Sequence, residues 1–302
     1  MELGIIGLGK MGANMSERLL AGGHRVVVFD RDAAAVERIV GKGAVAADSL
    51  AALVRTLEKP RAIWVMVPAG AAVEETLAAL LSSAEAGDIV IDGGNSNFKE
   101  SIARAGTFKG RGIHFIDVGT SGGVWGLREG YCLMIGGDTG AVERMRPIFA
   151  TLAPAPDRGW AHVGGSGAGH FAKMVHNGIE YGLMQSYAEG FALLSRTNRY
   201  SFDLPQIAEL WRHGSVVRSW LLDLTSDALR ENPGLAGIQP HVEDSGEGRW
   251  MVAECIEQDV PAPVISLSLI ERLRSRDRDS FSSRLLAVMR RKFGGHSVMT
   301  KR

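Results

Sequence analysis

The chain has 302 residues, 45% of them hydrophobic, with 34 Lys and Arg balanced by 34 Asp and Glu. That length allows two domains with a core each, and zero formal net charge gives no general pull toward nucleic acid. Cys132 and Cys255 are the only cysteines, which suggests a reducing compartment without a disulfide framework; no apolar run reaches membrane-spanning length, so the cytoplasm is expected.

In chain order, Leu3-Gly4-Ile5-Ile6-Gly7 reads as a short buried strand. Gly7-Leu8-Gly9-Lys10-Met11-Gly12 follows, and a helical pattern runs on through Leu20 until Gly22-Gly23-His24 stops it. Arg25-Val26-Val27-Val28-Phe29-Asp30 is the next strand. Strand, glycine-rich turn, helix and a second strand ending in an acid turn G-x-G-x-x-G into a dinucleotide-binding fingerprint. Gly7 allows the tight turn, Gly9 admits a pyrophosphate, and Gly12 lets the helix pack on the strand with its N-terminal amides facing the anion. Asp30 can accept hydrogen bonds from the adenosine ribose and repels a 2′-phosphate, which favours NAD over NADP. Arg31, beside it, partly offsets that repulsion.

Ala62-Ile63-Trp64-Val65-Met66-Val67 is a further strand, ended by Pro68, which cannot continue a central ladder. Asp88-Ile89-Val90-Ile91-Asp92 opens into Gly93-Gly94-Asn95-Ser96, and Ile113-His114-Phe115-Ile116-Asp117 opens into Gly119-Thr120-Ser121-Gly122-Gly123. Ligands of doubly wound sheets sit at the carboxyl ends of strands. Asn95 and the Ser121-Gly122-Gly123 backbone are therefore candidates for contacting nicotinamide and substrate, although Gly, Asn and Ser are also ordinary turn formers. The cofactor set is then Gly7, Leu8, Gly9, Lys10, Met11, Gly12, Asp30, Arg31, Val67, Pro68 and Asn95.

Strand patterns alternate with helices to about residue 163 and disappear after about 167. The predicted class is α/β, with an N-terminal Rossmann-type doubly wound sheet (1–166) followed by an all-helical C-terminal domain (167–302). Gly164-Gly165-Ser166-Gly167-Ala168-Gly169 leads into Lys173-Met174-Val175-His176-Asn177-Gly178-Ile179-Glu180-Tyr181. On a helix, Lys173, His176, Asn177, Glu180 and Tyr181 share one face, while Met174, Val175 and Ile179 fall on the other side, where they can pack. A polar stripe of this kind needs partners, because burying unpaired polar groups costs roughly 2–7 kcal/mol each. A polar ligand would supply them; a solvated face with a routine Lys/Glu pair is the plainer alternative, and the glycine-rich approach to the helix fits it poorly.

These residues resemble the decarboxylating 6-phosphogluconate dehydrogenases, within the wider β-hydroxyacid dehydrogenases. The resemblance covers nearly the whole chain. It rests on Gly7 to Gly12, Asp92-Gly93-Gly94-Asn95-Ser96, Ser121-Gly122-Gly123 and, above all, the stretch 173–181. Gly246-Glu247-Gly248-Arg249-Trp250 and the tail Arg290-Arg291-Lys292-Phe293-Gly294-Gly295-His296 are further landmarks. The best-known members are much longer, and this chain resembles the short form.

The resemblance implies oxidative decarboxylation of 6-phospho-D-gluconate to D-ribulose 5-phosphate and carbon dioxide with NAD reduced, a step of the pentose phosphate pathway. Lys173 would be the general base for the C3 hydroxyl, and Glu180 the acid that protonates C1 of the enediol. A lysine of ordinary pKa, about 10.4, needs burial or nearby cations to act as a base at neutral pH, and a glutamate acting as an acid needs the opposite shift. Two helical turns, roughly 10 Å, separate the pair. Asn95, Ser121, Gly122, Gly123, His176 and Asn177 would hold the carboxylate and hydroxyls, and Tyr181 and Arg272 the phosphate, which suits a guanidinium fork. The family's tail exchange would bring Arg290 and His296 from a neighbouring subunit, which implies a homodimer or homotetramer. No metal, nucleic-acid or membrane partner is expected.

One segment departs from the family pattern. Longer members place a basic and a hydroxyl residue beside the phosphate where this chain has Ser245 and Glu247, so either Arg249 substitutes or the loop lies differently. Two other readings remain: another β-hydroxyacid dehydrogenase or imine reductase of the same fold, and a non-catalytic dinucleotide sensor whose polar stripe is an interface.

Overall fold

The computed structural model describes residues 1–299; residues 300–302 of the expected helical segment lie outside the described residues. The chain divides into a first compact unit, Met1–Asn177, and a second from Gly178 onward.

The first unit begins with β1 (Glu2–Ile6), α1 (Lys10–Ala21), β2 (Arg25–Phe29), α2 (Ala33–Val40), β3 (Val45–Ala46), α3 (Leu50–Thr56), β4 (Ala62–Val65) and α4 (Ala71–Ser83). It continues with β5 (Ile89–Asp92), α5 (Phe98–Lys109), β6 (His114–Ser121), α6 (Gly126–Glu129), β7 (Cys132–Gly137), α7 (Thr139–Arg144), α8 (Arg146–Leu152) and β8 (Trp160–Gly164). The strands form one eight-stranded sheet in the order β3-β2-β1-β4-β5-β6-β7-β8. Only the β6–β7 pairing is antiparallel among these neighbours. The α/β class and the Rossmann-type sheet read from the sequence are what the chain forms.

The apolar runs explain the layering. A parallel sheet covered on both faces needs strands that are apolar on both sides, and every residue of β4 and β5 is buried. Alternate side chains then divide between two cores. Ile5, Trp64 and Ile91 join Met15, Leu19 and Phe149 on one face. Ile6, Ile63, Val65 and Val90 join Leu77 and Phe115 on the other. Each such side chain stabilises the unit by roughly 1.5–3 kcal/mol relative to exposure. Because β1 lies between β2 and β4, the loops leaving β1 and β4 open onto the crevice where strand order reverses.

The sequence places a loop from Gly119 onward, but β6 runs on to Ser121. The antiparallel partner β7 is the reason: Val118, Thr120 and Ser121 lie opposite Ile135, Leu133 and Cys132. Paired backbone stays extended even through a glycine.

Helix α9 (Ala168–Arg196) runs from the first unit into the second. Its first turn carries amides that no helical carbonyl can reach. The fully buried Asp117 on β6 meets them, accepting from Gly167 N at 2.6 Å and from His170 N at 2.9 Å. Close approach also requires a glycine at 119, since a Cβ there would lie 2.4 Å from Lys173 Cβ.

The second unit continues with α10 (Leu204–Trp211), α11 (Trp220–Glu231), α12 (Glu247–Glu257), α13 (Pro263–Arg276) and α14 (Phe281–Gly294), with no strand among the described residues. Asp203 and Ser219 cap α10 and α11 by accepting from Gln206 N and Leu222 N. Phe191, Ala208, Leu222 and Leu229 form its buried core, with Tyr187, Ile207 and Trp211 packed against them.

Removing the Asp117 carboxylate leaves two buried amides unpaired. Asp117→Ala should destabilise the first unit by about 2–4 kcal/mol, which lowers its thermal midpoint by roughly 5–15 °C. A calorimetric midpoint unchanged from the parent chain would refute this account of the helix seat.

Candidate active site

The crevice at the reversal of strand order is a cavity of about 360 Å³. Gly7, Gly9, Asp30, Arg31, Val67 and Pro68 line it, together with Phe29, Leu50, Met66, Glu75 and Thr76. Gly12 lies beneath rather than at the surface: a Cβ there would come 2.0 Å from Gly7 O, which is why the third glycine of the fingerprint is required. Gly9 faces open space and caps α1 without a side-chain hydrogen bond. Helix amides thus remain available to an anion, and the crevice fits a dinucleotide pyrophosphate. Leu8 is buried and Lys10 exposed at the helix start, with Met11 partly covered. The Asp30 carboxylate is fixed by Leu8 N at 2.5 Å and Asp32 N at 2.8 Å, which aims it without consuming all its acceptor capacity. Leu50, Glu75 and Thr76 escaped the sequence reading, because their place depends on how α3 and α4 return over the sheet edge.

The loop after β5 is anchored by the fully buried Asp92, which accepts from Gly94 N at 3.0 Å, Ser96 Oγ at 2.8 Å and Arg104 Nη1 at 3.0 Å. Asn95 has φ of 55°. Its side chain clips the neighbouring strand: Nδ2 donates to Thr120 O at 3.1 Å and Oδ1 accepts from Thr120 N at 2.8 Å. Both amide functions therefore tie this loop to β6, beside Ser121.

Lys173 is 6% exposed on α9. Its Nζ donates to Asn177 Oδ1 at 2.7 Å and lies 3.4 Å from His176 Nδ1. That ring nitrogen is also 3.0 Å from Asn177 Oδ1, while His176 Nε2 is 3.3 Å from Ser121 Oγ. His176 can therefore donate to the amide or accept from the amine, according to which ring nitrogen carries the proton. The first turns of the helix thus bring Lys173, His176 and Asn177 together, and His176 reaches Ser121 at the end of β6. Met174 is buried and Val175 partly so, but Ile179 is 52% exposed. Its packing was expected from the stripe pattern alone, yet about half of its surface stays uncovered. Glu180 follows two turns after Lys173 and is half-buried.

In the second unit, Tyr181 is buried under Arg272, whose guanidinium lies 3.4 Å from the ring centroid. Arg272 Nη1 donates to Glu243 O at 3.0 Å. The Tyr181 hydroxyl is buried without a hydrogen-bond partner among the described residues. Arg249 is committed elsewhere: it grips Asp244 through Nε at 2.9 Å and Nη2 at 3.0 Å, and Arg276 adds a contact at 2.6 Å. Arg249, with help from Arg276, holds the Asp244 carboxyl down to about 2. Glu247 is buried and accepts from Ser245 Oγ. Arg290 and His296 are exposed at and beyond the end of α14. Among the described residues, no group of three or more His, Cys, Asp or Glu is placed to hold a metal ion, and no helix is long and apolar enough to cross a membrane.

The profile for the NAD binding domain of 6-phosphogluconate dehydrogenase matches residues 2–164, and that for the C-terminal domain of 6-phosphogluconate dehydrogenase matches 169–295. The chain belongs to the 6-phosphogluconate dehydrogenase family. It is 47% identical over 302 residues to the NAD(+)-dependent, decarboxylating 6-phosphogluconate dehydrogenase of Haloferax volcanii, covering 100% of this chain and 99% of that one. The Bacillus subtilis NAD(+)-dependent, decarboxylating enzyme is 35% identical, over 91% of this chain but only 61% of its own length. Among solved structures, Plasmodium falciparum 6-phosphogluconate dehydrogenase, determined in its apo form and in complex with NADP+ and with 6-phosphogluconate, matches with a TM-score of 0.84 at 26% identity. That match takes in 100% of this chain and 66% of the Plasmodium one.

Proposed function

We propose that this chain is an NAD-dependent, decarboxylating 6-phosphogluconate dehydrogenase of the short form. The carrying observation is the buried Lys173 amine, held by the Asn177 amide oxygen beside His176 and Ser121. It shares its unit with a glycine-floored crevice that ends at Asp30. The Haloferax relative, matched along its length and named for NAD(+) dependence and decarboxylation, supports both cofactor and reaction.

Bound NAD supplies the acceptor for the hydride that leaves C3 of the sugar acid. Lys173 takes the proton of the C3 hydroxyl. The resulting keto group withdraws electrons as the C1 carboxylate departs as carbon dioxide, and the protonated Lys173 supports the negative charge growing on that oxygen. Glu180 protonates C1 of the enediol to give ribulose 5-phosphate. The Asn177 amide oxygen accepts from Nζ and so orients the amine. Ser121, His176, Asn177 and the Gly122–Gly123 backbone bind the carboxylate and hydroxyls, and Asn95 acts by fixing the loop around them. Tyr181 and Arg272 take the phosphate, a role supported by the Arg272 guanidinium over the Tyr181 ring and by the buried Tyr181 hydroxyl, which has no partner among the described residues.

The working form is a cytoplasmic homodimer or homotetramer in which the tail bearing Arg290 and His296 completes a neighbour's pocket. Val264 and Leu267 on α13 and Phe281 and Leu286 on α14 are exposed apolar surface of the kind a second copy covers.

With 6-phosphogluconate and NAD, and no added metal, NADH and carbon dioxide should form in equal amounts, faster than with NADP or with unphosphorylated gluconate. NADH without carbon dioxide would point instead to a simple hydroxyacid dehydrogenase, and absence of NADH would remove the assignment. Truncation before Arg290 should raise KM for the phosphorylated acid by about tenfold or more, the equivalent of one lost charged contact. An unchanged KM would rule out tail exchange.

A further inference from the structure

We infer that Glu75 determines cofactor choice: its carboxylate ties up the Arg31 guanidinium and so denies a 2′-phosphate the cation beside its binding point. This rests on the NAD reading above and extends it to a residue outside the fingerprint. Arg31 Nη2 lies 2.9 Å from Glu75 Oε2, and both side chains line the same crevice as Gly7, Gly9 and Asp30. Arg31 follows Asp30 at the end of β2, while Glu75 reaches the crevice from the start of α4. Two carboxylates and one guanidinium thus surround the adenosine end, leaving that corner with net negative charge.

The two dinucleotides meet this corner differently. Uncharged ribose hydroxyls can donate to Asp30 while the Arg31–Glu75 pair stays closed. A 2′-phosphate must recruit the guanidinium, which opens the pair and leaves two acids facing a dianion. Folding does not explain the pair. The side chains are 79% and 65% exposed, and ion pairs in that setting add little to stability. The sequence allowed Arg31 to offset the repulsion from Asp30; Glu75 cancels that offset.

The test compares the parent chain with Glu75→Gln, Glu75→Lys and the double variant Arg31→Ala/Glu75→Gln. Each is read as the ratio of kcat/KM for NADP to that for NAD, with NADP affinity measured separately by fluorescence titration. Glu75→Gln should raise the ratio about tenfold, since a freed guanidinium gains a charge-assisted contact. Glu75→Lys should raise it at least as much, and the double variant should return it to the parent value or below. A ratio unmoved in both single variants overturns the proposal, as does a rise that persists without Arg31. A parent chain that binds neither dinucleotide would overturn the cofactor reading along with this one; a parent that uses NAD while the variants leave the ratio unmoved overturns only the role of Glu75.

Discussion

The seat of α9 on the sheet is the constraint from which the site follows. A helix start carries amides without helical partners, and in a water-free setting each must be met. Here a single carboxylate, Asp117, rises from the middle of β6 and accepts from Gly167 N and His170 N. Because the acid is part of the strand and the amides are part of the helix, the bond fixes one element against the other. Lys173 lies on the next turn, against Gly119 of the same strand. A side chain at 119 would push that turn away, and with it the amine. Charge in the core is tolerated because it is fully used.

From that junction the polar groups fall into place without further scaffolding. Strand β6 ends at Ser121, within reach of His176, and the same helix carries Asn177 one turn beyond Lys173. Around the amine stand the Asn177 amide oxygen, which accepts from it, and the His176 imidazole, whose ring nitrogen can accept or donate. That is the surrounding a group needs if it is to take up a proton and return it. The dinucleotide crevice arises independently, from the place of β1 between β2 and β4, yet both features belong to one compact unit.

Much of this was legible in the chain because the requirements are local. The fingerprint glycines answer to a turn and a close packing contact within a dozen residues, and the stripe from Lys173 to Tyr181 is set by helical period alone. What stayed hidden depends on partners distant in sequence. The extension of β6 through Gly119 needs β7, which reverses direction against the expected alternation. Asp117 reads as an ordinary strand-end acid until the helix it caps is in place. The pairing of the Asn95 amide with Thr120 is likewise a contact between segments distant in sequence. Arg249, offered by the sequence as a substitute for a missing basic residue, is gripped by Asp244. Ile179 sits on the side of the helix opposite the polar stripe, a position that periodicity assigns to packing, yet it is exposed.

The most direct test of the central claim is chemical rescue. With Lys173→Ala, NADH formation from 6-phosphogluconate and NAD should fall by at least about a thousandfold, the scale of a lost general base with its positioning, while NAD still binds. Small primary amines added to the assay should then restore turnover in proportion to the concentration of their unprotonated form. Activity close to that of the parent chain, or a deep loss that no amine relieves while NAD binding persists, would contradict the role given to Lys173.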